Sequence, residues 1–219
     1  MLERFLELEV MDTREDAVEY DAMDFTEVNT AFAERAVELG PRAGLVLDLG
    51  TGTARIPVLI LKRNRALKMA ANDYSQNMLK IGEKNVREAG FEKQIELRFE
   101  DAKKLTYADR SFDLVISNSL VHHLPDPLPF FREVRRVAKQ NAGILIRDLI
   151  RPDTVATLES LVDQYAGDST KHQKKLFRDS LHAALTIDEV RAMVRQAGLQ
   201  GVTVTQSSDR HWSIERKWK

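Results

Sequence analysis

The sequence predicts an α/β fold: a doubly wound, mostly parallel sheet, Rossmann-like, with a helical cap before it and an antiparallel strand pair at its end. Three observations carry that prediction. Short apolar runs such as "LVLDLG", "FDLVISN" and "GILIRDLI" are too brief for helices and give way abruptly to glycine or polar residues. Stretches with helical spacing and capping residues lie between them. Beyond residue 200, "GVTVTQ" and "RHWSIERKW" alternate as paired strands do. Strands separated by helices in this order connect as βαβ units, which build parallel sheets.

Phe25, Val28, Phe32, Ala36 and Leu39 recur at three- and four-residue steps and predict an amphipathic helix, ended by Gly40-Pro41. The acidic segment before it, with Leu6, Met11, Tyr20 and Met23, reads as a lid. The first strand is followed by a helix over about 53–64, then a strand over 67–73. Ser75 caps a helix that runs to Gly90, because its hydroxyl can accept from an otherwise unpaired N–H of the first turn. Ile95, Leu97 and Phe99 alternate in a half-buried strand, and 112–118 is a solid apolar one. Asp126-Pro127 opens a helix over 127–138, and a fifth strand follows near 143–150. Residues 153–166 and 169–185 read as two helices. Thr186 to Glu189 is a capping box for a third, stopped by Gly198. Within the last strand, Trp212 and Ile214 share a parity and should face inward, leaving His211 outside. The division expected is a cap over 1–43 and one domain over 44–219, with inserted helices over about 153–185.

Composition excludes several classes. There are 33 basic and 34 acidic residues, for a formal net charge of -1, so no general affinity for polyanions is expected. The absence of cysteine removes disulfides, thiolate metal sites and a cysteine nucleophile. The acidic, charge-broken start "MLERFLELEVMDTRED" has no apolar signal core, and no run reaches membrane-spanning length, so a cytoplasmic setting without membrane attachment is expected.

The segment "VLDLGTGTARIP" holds the main functional signal. Gly50 and Gly52 follow the first strand at the sheet edge where open parallel sheets bind ligands. Without a Cβ, such residues let the chain turn tightly and let a ligand lie on bare backbone. Asp73 closes the second strand about 20 residues further on, the reach at which a carboxylate accepts from ribose hydroxyls. Asp101 closes the third strand and can accept from the amine of an adenine whose ribose Asp73 holds.

These residues resemble the motifs of class I S-adenosylmethionine-dependent methyltransferases, over about residues 44–150 and onward to the end. "VLDLGTGTARIP" is similar to the family's first motif, "NDYSQNML" to its second, "FEDAKKL" to its third and "FDLVISNSLVHHLPDP" to its fourth. The last is most similar to the branch containing quinone-biosynthesis C-methyltransferases and other small-molecule enzymes. The resemblance implies a seven-stranded sheet ending in an antiparallel strand. It implies S-adenosylmethionine as cofactor and a small-molecule acceptor. By position, Gly50 and Gly52 would line its methionine and ribose, Asp48 would orient the loop or the amino group, and Asp73 would bind the ribose. Asp101 would take the adenine amine and Asn118 would lie by the sulfonium. Ala54 stands where many members have a third glycine, and a tighter cradle is the expected result.

His122 and His123 follow the fourth strand and are the candidate general bases, His122 foremost, since imidazole titrates near neutrality. Adjacent histidines diverge and no third ligand is evident, so no metal site is expected. Arg147, Asp148 and Arg151 turn polar after the fifth strand's apolar run and are candidates to grip a polar or acidic substrate, with Tyr20 contributing from the lid. A mutual salt bridge finishing the strand is the competing account of that trio. Three other functions share some of these features: an NAD-dependent dehydrogenase, a nucleic-acid methyltransferase and a non-catalytic cofactor-binding protein. Arg55 at the third-glycine position opposes the first, and "NSLV" in place of an Asn/Asp-Pro-Pro-aromatic motif opposes the second.

Overall fold

The computed structural model describes residues 2–6 and 13–219. Seven strands form one sheet in the order β3-β2-β1-β4-β5-β7-β6. They are β1 (Gly44–Leu49), β2 (Leu67–Asp73), β3 (Ile95–Phe99), β4 (Phe112–Asn118), β5 (Ala138–Leu149), β6 (Thr203–Gln206) and β7 (His211–Arg216). The first five pair in parallel, whereas β7 runs antiparallel to both β5 and β6. Strand order reverses between β1 and β4, the crevice where doubly wound sheets bind ligands.

The helices are α1 (Arg14–Ala22), α2 (Thr26–Leu39), α3 (Arg55–Arg63), α4 (Gln76–Ala89), α5 (Leu128–Val137), α6 (Val155–Ala166), α7 (Lys171–Ala183) and α8 (Ile187–Ala197). Their ends follow the capping chemistry of the sequence. Ser75 Oγ accepts from the Met78 N–H at 3.2 Å, and Asp126 Oδ1 from that of Leu128 at 3.0 Å. Thr170 and Thr186 each form a capping box. Gly90 and Gly198 end their helices in the left-handed conformation.

Each face of the sheet carries a core. Val115, Ile144, Ile146, Trp212 and Ile214 pack with Phe130, Phe131 and Val134 of α5 and with α8. On the other face, Leu114, Ile116 and Leu145 pack with Phe32 and Ala36 of α2 and with Ile60 and Leu61 of α3. Helix α2 is therefore part of the sheet's packing, with Val28 exposed at its outer side. A third cluster joins Leu149 to Leu158, Leu161 and Leu181, which seats α6 and α7 over the end of β5. Among the described residues no helix is long and apolar enough to cross a membrane.

Two expectations change. Strand β5 starts at Ala138 rather than near 143, with an irregular register opposite Phe112 and Leu114 that the polar stretch "AKQN" conceals. His211 is half-buried rather than outward: β7 lies inside the sheet, and the ring bonds Ser208 Oγ through Nδ1 at 2.8 Å. Burial first, then the neighbouring Arg210 charge, push its pKa down to about 4.

Gly143 lies where the end of α2 crosses β5. A Cβ there would meet Leu39 O at 2.7 Å and Leu114 Cδ1 at 2.8 Å, and the carbonyl cannot withdraw without unseating the helix. Gly143→Ala should therefore cost about 2 kcal/mol, an overpacking penalty. At this chain length that lowers the thermal midpoint by roughly 4–8 °C, measurable by differential scanning calorimetry.

Candidate active site

The turn after β1 determines the site. Gly50, Gly52 and Ala54 all take positive φ, at 70°, 55° and 59°. A Cβ on Gly50 would sit 3.0 Å from Leu120, and one on Gly52 would face Tyr20 Cε1 at 3.7 Å. The Ala54 methyl is fully buried and lies beside Gly82 of α4. It does not narrow the cradle, contrary to expectation; its effect is left-handed backbone strain of about 1–2 kcal/mol.

Asp73 ties this turn to the end of β2. Its Oδ2 accepts from the Gly52 N–H at 2.7 Å and its Oδ1 from the Ser75 N–H at 2.9 Å. One strand over, Asp101 Oδ1 accepts from the Lys103 N–H at 2.8 Å, with Lys103 Nζ at 3.3 Å. Asp73, Asp101, Gly50, Gly52, Asn118 and Tyr20 line one cleft along the carboxyl ends of β1 to β4. Tyr74, Ser75, Glu100, Leu120, His123 and Leu124 are among the other residues of its wall. The sequence reading missed Tyr74 and Glu100, although each directly neighbours an aspartate it selected.

Asp48 lies beneath the turn, 2% exposed, and its Oδ2 has no hydrogen-bond partner. Burial raises its pKa to about 7, against the lowering influence of the nearby Thr51 hydroxyl and with a smaller addition from the charge of Asp73. Burial and the same two carboxylates push the Tyr20 phenol up to about 12, so it remains a neutral donor. Tyr20 also borders a second cavity of about 380 Å³ that runs between the start of α2 and α3. That cavity shares Gly50 and Asn118 with the first and is flanked by Phe25, Asn29 and Ile56.

The two histidines separate. His123 lines the cleft, while His122 is 4% exposed and lies behind it, correcting the expectation that both stand at the mouth. Their rings lie 4.1 Å apart between centroids. His122 Nδ1 meets Asp148 Oδ1 at 2.5 Å. Asp148 also accepts from the N–H groups of Val121 at 2.5 Å, His122 at 3.2 Å and Leu149 at 2.6 Å. Burial alone would raise the Asp148 pKa, but the His122 charge and hydrogen bond hold it below the usual carboxylate range. From the amino-terminal segment, Arg4 donates to the carbonyls of Leu124 at 2.9 Å, Ala183 at 2.7 Å and Pro125 at 3.3 Å.

The polar trio after the fifth strand's apolar run does not act as a unit. Asp148 faces the α5 side of the sheet and serves His122, while Arg151 donates to Ala184 O at 2.9 Å and Glu189 Oε1 at 2.7 Å. Both are buried, and Asp148 and the two terminal nitrogens of Arg151 are engaged within the fold rather than turned to the cleft. Arg147 occupies the opposite face, against Phe32 and Ser213.

This architecture, with its reversal point, antiparallel last strand and glycine turn flanked by strand-end acids, is that of a class I S-adenosylmethionine-dependent methyltransferase. The methyltransferase domain family model matches residues 42–201, and the chain belongs to that family. It is 35% identical to a demethylmenaquinone methyltransferase of Bacillus velezensis, over 49% of this chain and 46% of that one. It is 30% identical to methyltransferase GfsG of Streptomyces halstedii, over 75% and 55%. The chain thus spans about half the length of these two relatives. A demethylmenaquinone methyltransferase of Thermotoga maritima is 28% identical over 79% and 78%. Among solved structures, an S-adenosyl-L-methionine-dependent methyltransferase from Methanococcus maripaludis has the same fold. Its TM-score is 0.74, with 19% identity and 98% of each chain covered.

Asp48 gives a prediction at this level. Its folded pKa lies above the unfolded 3.8, so its contribution to stability is lost as pH rises through about 7. Asp48→Asn should come level with the unsubstituted protein only below about pH 3.8, gain on it as pH rises towards 7, and exceed it most at pH 8, as read by urea unfolding across that range.

Proposed function

We propose that this chain transfers a methyl group from S-adenosylmethionine to a small-molecule acceptor. The observation that carries the reading is the convergence of Gly50, Gly52, Asp73 and Asp101, far apart in sequence, on one cleft of a family methyltransferase domain. Two exposed-backbone glycines give a nucleoside close approach, and strand-end carboxylates accept from ribose hydroxyls and an exocyclic amine. The unpartnered Asp48 Oδ2 and the Asp73 charge suit a group that carries cationic ammonium and sulfonium centres. Asn118 would stand beside the sulfonium. When bound, the cofactor supplies a methyl already activated as an electrophile.

The protein then has to hold the acceptor in line and keep water out. An acceptor whose attacking atom carries a proton needs a base, and His123 is the imidazole that lines the cleft. His122 and Asp148 act as positioning residues, since the buried pair fixes the turn on which His123 stands. The near-zero net charge and the demethylmenaquinone named for two of the relatives favour a metabolite over a nucleic acid.

Calorimetry should detect S-adenosylhomocysteine binding and no heat from NADH; equal heats would point to a dehydrogenase. Asp73→Asn keeps an acceptor for the Gly52 N–H and should weaken cofactor binding by about 1.5–3 kcal/mol, the scale of a hydrogen bond to a charged group. Unchanged affinity would mean that the ribose lies elsewhere. With an acceptor found by screening metabolites against labelled cofactor, His123→Ala should lower kcat by roughly 10²–10⁴ and leave cofactor affinity within twofold. A kcat that does not fall would limit His123 to packing.

A further inference from the structure

We infer that the acceptor is an organic anion, a carboxylate or phosphate on an apolar body, and that Arg147 receives its charged group. The inference rests on the methyl-transfer reading and adds the substrate's chemistry. Arg147 is set apart from the other half-buried arginines. Arg35, Arg98, Arg136, Arg178 and Arg210 each have a carboxylate within ion-pair distance, and Arg4 and Arg216 are taken up by backbone carbonyls. Arg147 bonds only the Ser213 hydroxyl, through Nε at 3.0 Å, and its Cζ lies 5.6 Å from the centre of the Phe32 ring. Among the described residues no carboxylate is within ion-pair distance of it. The acid that acts on it from further off, Glu215, is held by Arg35 at 2.6 Å.

Its place in the fold sets Arg147 next to the substrate side of the cleft, although it lines neither cavity itself. In the β4–β5 register Arg147 is the partner of Asn118, so the two side chains share a face about 5 Å apart. Asn118 lines both cavities. Phe32, under the guanidinium, is one helical turn from Asn29, which lines the second cavity. Arg147 thus stands beyond the Asn29–Asn118 wall of a cavity whose other lining includes Met23, Phe25, Ile56 and Leu59. A guanidinium backed by an aromatic ring, with two terminal nitrogens unengaged, presents the planar fork that binds oxyanions in bidentate fashion. A half-buried cation without a counterion costs stability, and an acceptor carrying one would offset that cost on binding.

The test is calorimetry at saturating S-adenosylhomocysteine with phenylacetate, phenyl phosphate and the neutral phenylacetamide. At least one of the two anions should bind tenfold or more tightly than the amide, and which one does identifies the head group. Arg147→Gln should bring that anion level with the amide, and Arg147→Lys should fall between. Thermal melts check that the variants fold, and the anion-against-amide comparison in the unsubstituted protein needs no variant. Equal affinity for anion and amide, an anion affinity untouched by Arg147→Gln, or no anion binding while S-adenosylhomocysteine binds would each overturn the inference alone. Failure of S-adenosylhomocysteine itself to bind would remove the methyl-transfer reading and this inference with it.

Discussion

The turn between β1 and α3 holds alternate residues at positive φ, and most of what this molecule can bind follows from that constraint. Gly50, Gly52 and Ala54 bend the chain back sharply enough to expose backbone at the crevice while opening α3 in the right direction. Such a turn does not hold itself. The Gly52 N–H is anchored by Asp73, and the Thr51 N–H by the carbonyl of Asn72 at 2.9 Å. The end of β2 therefore grips two successive amides of the turn. Leu120 fills the space beside Gly50, so the segment after β4 is set by the same turn from the other side. The only non-glycine of the three is the one whose methyl finds room against Gly82, where α3 and α4 meet.

The same geometry concentrates negative charge. Asp48, Asp73 and Asp101 lie at or just beneath one edge, and Tyr20 adds a neutral hydroxyl in place of a counterion. Burial is the main reason the Asp48 carboxyl is pushed up to about 7, and the charge of Asp73 adds to it. A cationic ligand acts against both, which couples affinity for a sulfonium to the protein's own electrostatics. The arrangement also rejects anions from the nucleoside side of the cleft. An anionic acceptor would have to be received from the far side of Asn118, where Arg147 stands.

Much of this was legible in the sequence because it depends on local rules. Buried strands show as apolar runs and helix starts as Ser75, Asp126 and Thr186. The strand-end acids stand out because polar residues follow immediately on apolar ones. What was not legible depends on pairing between distant segments. The early start of β5 is hidden because its first residues are polar and pair only with the opening of β4. The depth of His211 depends on β7 being covered by β6. The split between Arg147 and Asp148 was available, since neighbours on a strand point to opposite faces and only one can look into a given cleft. His122 and His123 could not be separated that way, because they sit in a 3-10 turn whose orientation is set by Asp148.

That turn completes the logic of the site. A short turn leaves both its amides and its carbonyls without partners of its own. Here the two sets are satisfied by opposite charges from distant parts of the chain. The amides of Val121 and His122 go to the Asp148 carboxylate on β5. The carbonyls of Leu124 and Pro125 go to the Arg4 guanidinium, which also holds the last turn of α7 through Ala183. Each charge is matched to groups that can pair with it, so neither ion is left bare where solvent is scarce. The consequence reaches the chemistry. His123 stands on a segment fixed at both polar ends, and its ring rests on that of His122, itself held by Asp148. A side chain mounted this way needs little reorganisation when a ligand arrives, and preorganisation of that kind lowers the cost of binding or chemistry at the cleft.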